Sequence, residues 1–141
     1  MKRYRKSLAA SSIAAAGAAV ITLALPTSAY AAPISGNTSC ASARGDYRWF
    51  KTGTYDSQTG YRTEGHLTLE KTCAYGLALQ YKGLRWVWTS PVAGYWLDLN
   101  WETVKSSPGT VSLEDAGPVK DLRFRICDVD NGSVVNCRSV R

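Results

Sequence analysis

The chain has 141 residues, 45% hydrophobic and 20% charged, with a formal net charge of +6. Lys2, Arg3, Arg5 and Lys6 open a segment without acids; setting it aside lowers Lys plus Arg from 17 to 13 against 11 acids, a net of +2. What remains is long enough for one domain and too short for two, and its near-balance argues against the concentrated basic face of a nucleic-acid partner.

Residues 1–31 read as a secretory signal peptide: a basic start, an uncharged Ala-rich run from Leu8 to Leu25, Pro26, and the small-x-small signature Ala29-Tyr30-Ala31. Cleavage after Ala31 is expected to release residues 32–141 as one secreted, extracellular domain with no membrane attachment. Cys40, Cys73, Cys127 and Cys137 are an even set in an exported chain and imply two disulfides. Their wide spacing and the single histidine argue against a metal site, and no cofactor motif is present.

After a flexible lead-in over 32–45, the chain reads as short strands. "DYRWFKTGTY" leads into a turn-rich tip at Asp56–Gly60. Leu67 and Leu69 then alternate with His66, Thr68 and Glu70, and Cys73, Tyr75, Leu77, Leu79 and Tyr81 occupy every second position. A period of two over such lengths means strands with one buried face. Thr110–Glu114 is a short strand candidate, and Leu122, Phe124 and Ile126 alternate with Asp121, Arg123 and Arg125 in a long one. Asp121 and Asp128 sit among Lys120, Arg123 and Arg125, so these cations read as a solvated strand face. Asp130-Asn131-Gly132 is the strongest hairpin signal. A three-residue loop, Asn131-Gly132-Ser133, places Asp130 opposite Val134 and Cys127 opposite Cys137, with Cys40–Cys73 as the other bridge and the two crossed pairings as alternatives; a strict two-residue Asn-Gly turn would instead put Cys127 and Cys137 on opposite faces. No stretch after the leader has the 3.6-residue apolar period of a helix. The expected fold is an all-β antiparallel sandwich or small barrel of seven to eight strands.

Gly83–Trp101 holds four of the five tryptophans. Alternation assigns Tyr95, Leu97, Leu99 and Trp101 to a core face and Trp96, Asp98 and Asn100 to the opposite, solvent face. An exposed indole beside an acid and an amide suits sugar binding, because the ring stacks on a pyranose while Asp and Asn bond its hydroxyls. Leu84, Trp86 and Trp88 share a face and are expected to be core if Leu84 marks the inside. His66, near Glu64, Thr68 and Glu70, is a candidate acid–base centre, but alternating polar residues on an exposed strand produce that arrangement routinely. No catalytic residue is assigned.

The leader and the segment "DLRFRICDVDNGSVVNC" resemble those of small secreted two-disulfide β proteins of actinobacteria, a resemblance that implies export and a β fold. Tyr47-Arg48-Trp49 carries, in reverse order, the residue types of the Trp-Arg-Tyr triplet of secreted amylase inhibitors; the reversal and the longer chain separate the two. The expected function is non-catalytic binding of a glycan or cell-wall polymer through Trp96, Asp98 and Asn100. The alternatives are an inhibitor or toxin-like protein acting on an extracellular protein through Tyr55–Tyr61 or Ser90–Gly94, and a small hydrolase centred on His66.

Overall fold

The computed structural model describes residues 31–141; the leader and its cleavage position fall outside, apart from Ala31 itself. Eight strands follow in chain order: β1 (Ala32–Asn37), β2 (Ala41–Tyr55), β3 (Gln58–Lys71), β4 (Gly76–Ser90), β5 (Ala93–Lys105), β6 (Gly109–Ser112), β7 (Asp115–Asp130) and β8 (Ser133–Val140). All pairings are antiparallel. The expected all-β architecture with two disulfides is what forms. The lead-in, however, is ordered as β1 and the start of β2, paired with each other from Asn37↔Ser42 to Ala32↔Tyr47.

β7 organises the sheet. One of its edges pairs with β4 from Val119 to Val129. Its other edge pairs first with β3, at Asp115 and Val119, and then with β8, from Phe124 to Asp130. Two backbone hydrogen bonds of 3.0 Å between Ser35 and Arg141 tie the end of the chain to β1. The ring β1-β2-β3-β7-β8 therefore closes, while β4 and β5 extend the sheet and β6 lies along β3.

The core occupies one end of this ring. Leu67, Leu69, Leu77, Leu79 and Ile126 are at most 1% exposed and pack with Ala41, Ala43, Tyr47, Leu113, Phe124 and Val140. The alternation that makes these strands leaves His66, Glu70 and Arg123 outside. The disulfides Cys40–Cys73 and Cys127–Cys137 both lie at this end. Asp128 is fully buried between them and accepts hydrogen bonds from the hydroxyls of Thr38 and, at 3.2 Å, Ser39. Thr38 Oγ1 in turn accepts the amides of Ala41 at 2.9 Å and Cys40 at 3.3 Å, so one carboxylate anchors the β1–β2 turn to β7.

The last hairpin reaches the expected disulfide by a different register. Asn131 and Gly132, with φ of 48° and 80°, form a two-residue turn, and Asp130 pairs with Ser133 rather than Val134. Both central residues are left-handed, which matches the twist of the flanking strands. That register would set Cys127 opposite Asn136. Instead the ladder shifts between Ile126 and Asp128, and Asn136 takes a left-handed φ of 47°. The extra residue is absorbed in this β-bulge, and Cys137 faces Cys127.

Candidate functional site

The β2–β3 and β4–β5 hairpins project past the core, and the tryptophan-rich stretch does its packing there. Tyr55, beside the tight Asp56-Ser57 turn, meets Trp86, Trp88 and Trp96 at ring-centroid distances of 5.5, 5.8 and 6.2 Å. Trp86 contacts Trp88 at 5.7 Å and Trp96 at 5.4 Å, edge to face in both cases. Each such pair contributes about 0.5–1.5 kcal/mol beyond the area it buries. A Cβ at Gly94 would sit 2.7 Å from the Trp86 ring, so the indole lies directly on the β5 backbone and only glycine fits there.

Trp96 is thus half-buried rather than open to solvent. It is directly paired with Trp86, its Nε1 donates to the Tyr55 carbonyl at 3.1 Å, and Lys120 Nζ lies 5.5 Å over its ring. Asp98 and Asn100 are exposed along the outer strand β5. Tyr95 and Leu97, expected inside, are 49% and 41% exposed, while Leu99 is buried. Alternation identifies which residues share a face; it does not say which face is covered. Leu99 reaches the core, Tyr95 and Leu97 run beyond it, and Tyr55 covers the Trp96 side. The same holds on β4, where Trp86 is buried and Trp88 is 53% exposed. Trp101 departs from its expected company for another reason. The β4–β5 ladder shifts between Tyr81 and Gly83, and Trp101 packs under Lys82 and Arg125, whose charged groups lie 5.1 and 4.1 Å from its ring centre.

A cavity lies elsewhere, in an open groove of about 730 Å³. Its origin is an unpaired stretch of β7: the β3 pairing ends at Val119 and the β8 pairing begins at Phe124, so one edge of residues 120–123 has no strand partner. A left-handed Asp121, φ 53°, shifts the β4–β7 ladder there as well. Side chains from both faces of the sheet meet in this gap. Tyr47, Thr63 and Phe124 form an apolar floor with one hydroxyl pair, and Trp49, Tyr61 and Trp101 present aromatic surface. Burial pushes the Tyr47 hydroxyl far above its ordinary range, against the opposing effect of its hydrogen bond to Thr63. Trp49 is 45% exposed, because β2 carries the Tyr47 face past the end of the core. Lys82, Lys120 and Arg123 add positive charge, and Asp121 is 3.4 Å from Lys120.

No local signal in the sequence marks this groove, because it depends on two register shifts and on where three strands stop. Trp49 shares a strand face with Tyr47 by alternation. No local signal placed it near Trp101.

His66 stands exposed on the β2–β3–β6 surface, with Asp46 and Ser112 as its register partners on either side. This makes a row of carboxylate, imidazole and hydroxyl, yet its members turn to other groups. Ser112 Oγ donates to Glu114 Oε1 at 3.1 Å, and Asp46 faces Arg48 at 3.7 Å. A nucleophile needs its base within hydrogen-bond reach and donors aimed at the developing oxyanion, and the open strand surface holds no such convergence among the described residues. No group of metal-ligating side chains forms among the described residues either. Comparisons with family models, with curated proteins and with solved structures find no match to this chain.

Proposed function

We propose that this protein is a secreted, non-catalytic glycan-binding domain whose ligand lies in the groove along the unpaired edge of β7. The observation that carries the reading is the meeting of Trp49, Tyr61 and Trp101 in one open groove of about 730 Å³, large enough for sugar rings. The half-exposed Trp49 offers flat apolar area to the C–H face of a pyranose, while Trp101 lies beside it under Lys82 and Arg125. The backbone groups of residues 120–123 without a strand partner offer hydrogen bonds to its hydroxyls. The two disulfides suit an exported protein, in keeping with the leader at 1–31. The site moves from the expected Trp96, Asp98 and Asn100, since Tyr55, Trp86 and Lys120 already surround the Trp96 indole.

The test is retention of the oxidised protein on insoluble cellulose, chitin, peptidoglycan and pectin. Trp49→Ala should weaken retention on the bound polymer about tenfold or more and leave the unfolding midpoint nearly unchanged, because Trp49 is half-exposed. Equal retention of wild type and Trp49→Ala on every polymer would sink the reading.

A second reading rests on the β4–β5 tip. Val92 is 91% exposed, and Trp88 on one face of the hairpin and Tyr95 and Leu97 on the other are exposed as well. Such a tip suits insertion into another protein, as in an exported inhibitor. Stoichiometric complex formation abolished by Val92→Lys, with Trp49→Ala inert, is its signature.

A further inference from the structure

We infer that the groove selects acidic sugars, and specifically that Lys82 and Arg123 together receive the carboxylate of a pyranosyl uronate whose ring lies against the half-exposed Trp49; this rests on the glycan-binding reading. Lys82 and Arg123 are direct register partners on β4 and β7. Two cations opposed across a ladder repel each other, and such pairs are destabilising unless an anion lies between them. Here none does: the ion pairs of the described residues involve Lys120 and Asp121, Arg85 and Asp115, and three pairs on β2 and β3, but neither Lys82 nor Arg123.

The expected neutralisation by flanking acids also fails in detail. Asp128 is buried and committed to Thr38 and Ser39, and Asp121 sits with Lys120. Arg125, next along the same face, bonds the neutral Gln80 at 2.9 Å and lies over Trp101. Residues 32–141 are close to neutral as a whole, but this corner gathers Lys82 and Arg125 over Trp101 and Arg123 opposite Lys82, and no ion pair of the described residues involves any of the three.

Charge alone would accept any anion, and the surroundings narrow the class. Trp49 and Tyr61 ask for a ring with an apolar face, which a polyol phosphate chain lacks. A planar carboxylate fits the guanidinium fork of Arg123, with Lys82 as a second, point-like cation. A uronic acid carries both features in one residue.

The experiment measures affinity of the oxidised protein for polygalacturonate, its fully methyl-esterified form, polyglutamate and a single-stranded oligonucleotide, beside the Lys82→Gln/Arg123→Gln double variant. Expected are binding of the acid polymer at least tenfold tighter than of the ester, a loss of at least tenfold in the double variant, and an unfolding midpoint in that variant no lower than wild type. Equal, Trp49-dependent binding of acid and ester overturns the charge selection and leaves the glycan reading standing. Polyglutamate or the oligonucleotide binding as tightly as polygalacturonate overturns the selection of a sugar. Trp49-dependent retention on neutral cellulose or chitin alone overturns the inference without touching the broader reading, whereas retention on no polysaccharide overturns both.

Discussion

Replacing Asn136 tests where the last hairpin stores its extra residue. The side chain is exposed, so substitutions there change backbone preference with little change in packing. In the observed bulge this residue has a φ of 47°, a left-handed conformation that costs an ordinary L-residue about 1–2 kcal/mol and a β-branched one more. Asparagine tolerates it through local hydrogen bonding. Asn136→Val should therefore destabilise the oxidised protein by about 1–2 kcal/mol. Asn136→Gly should fall within about 0.5 kcal/mol of wild type, because relief of the strain offsets the greater freedom of glycine in the unfolded chain. The alternative register, with a three-residue loop at Asn131-Gly132-Ser133, reverses the sign: position 136 becomes an ordinary exposed strand site, where valine is preferred over asparagine. Urea denaturation of the three oxidised proteins, with m-values compared to confirm a common unfolded state, gives the answer. A valine variant as stable as wild type would refute the bulge.

Two further perturbations address the buried polar groups. Asp128→Ala removes two hydrogen bonds to a carboxylate, each contributing about 1.5–3 kcal/mol, and should cost about 3 kcal/mol or more; Asp128→Asn keeps one acceptor and should lose roughly half as much. Faster hydrogen exchange at the Cys40 and Ala41 amides should accompany the alanine change, and a loss under about 0.5 kcal/mol contradicts the anchoring role. Tyr47, held above its ordinary range by burial, binds its proton more tightly in the folded chain. Its contribution is complete below the unfolded-state value near pH 10 and is lost as pH rises above it, at up to about 1.4 kcal/mol per pH unit. Denaturation series from pH 8 to 11.5 should show a shallower alkaline decline in Tyr47→Phe than in wild type, and identical slopes would contradict it.

What the sequence made legible was periodic and local. Leu67 and Leu69, Leu77 and Leu79, and Phe124 and Ile126 each announce a buried strand face, and all are core. The Asn-Gly signal does mark a hairpin, and both disulfides join the expected cysteines. The errors cluster where one residue changes the register. Asn136, Asp121 and the shift beside Lys82 each reverse the alternation downstream, and none interrupts the apolar pattern. Alternation groups Trp101 with Leu99 because no residue in "LDLNWE" marks the irregularity. Alternation sends Trp96 to solvent because its cover, Tyr55, comes from a hairpin 41 residues away in sequence. Neither kind of information is local.

The placement of the groove follows from the same irregularities. At the disulfide end β7 has a partner on each edge, a fully buried Asp128 and a packed core, so a substitution there costs stability. Nine residues earlier, at Val119, one edge loses its partner, and the left-handed Asp121 lets the strand drift from the regular ladder. An uninterrupted pairing from β3 to β8 would close this gap and send Trp49 and Trp101 to separate surfaces. The departure from regular pairing is therefore what lets side chains of both sheet faces share one groove. The stabilising contacts are concentrated far enough along β7 that groove residues such as Trp49, Lys82 and Arg123 can change with little effect on folding. Binding and stability should then separate experimentally: substitutions at these three positions move affinity, and those at Asp128 or Asn136 move the denaturation midpoint.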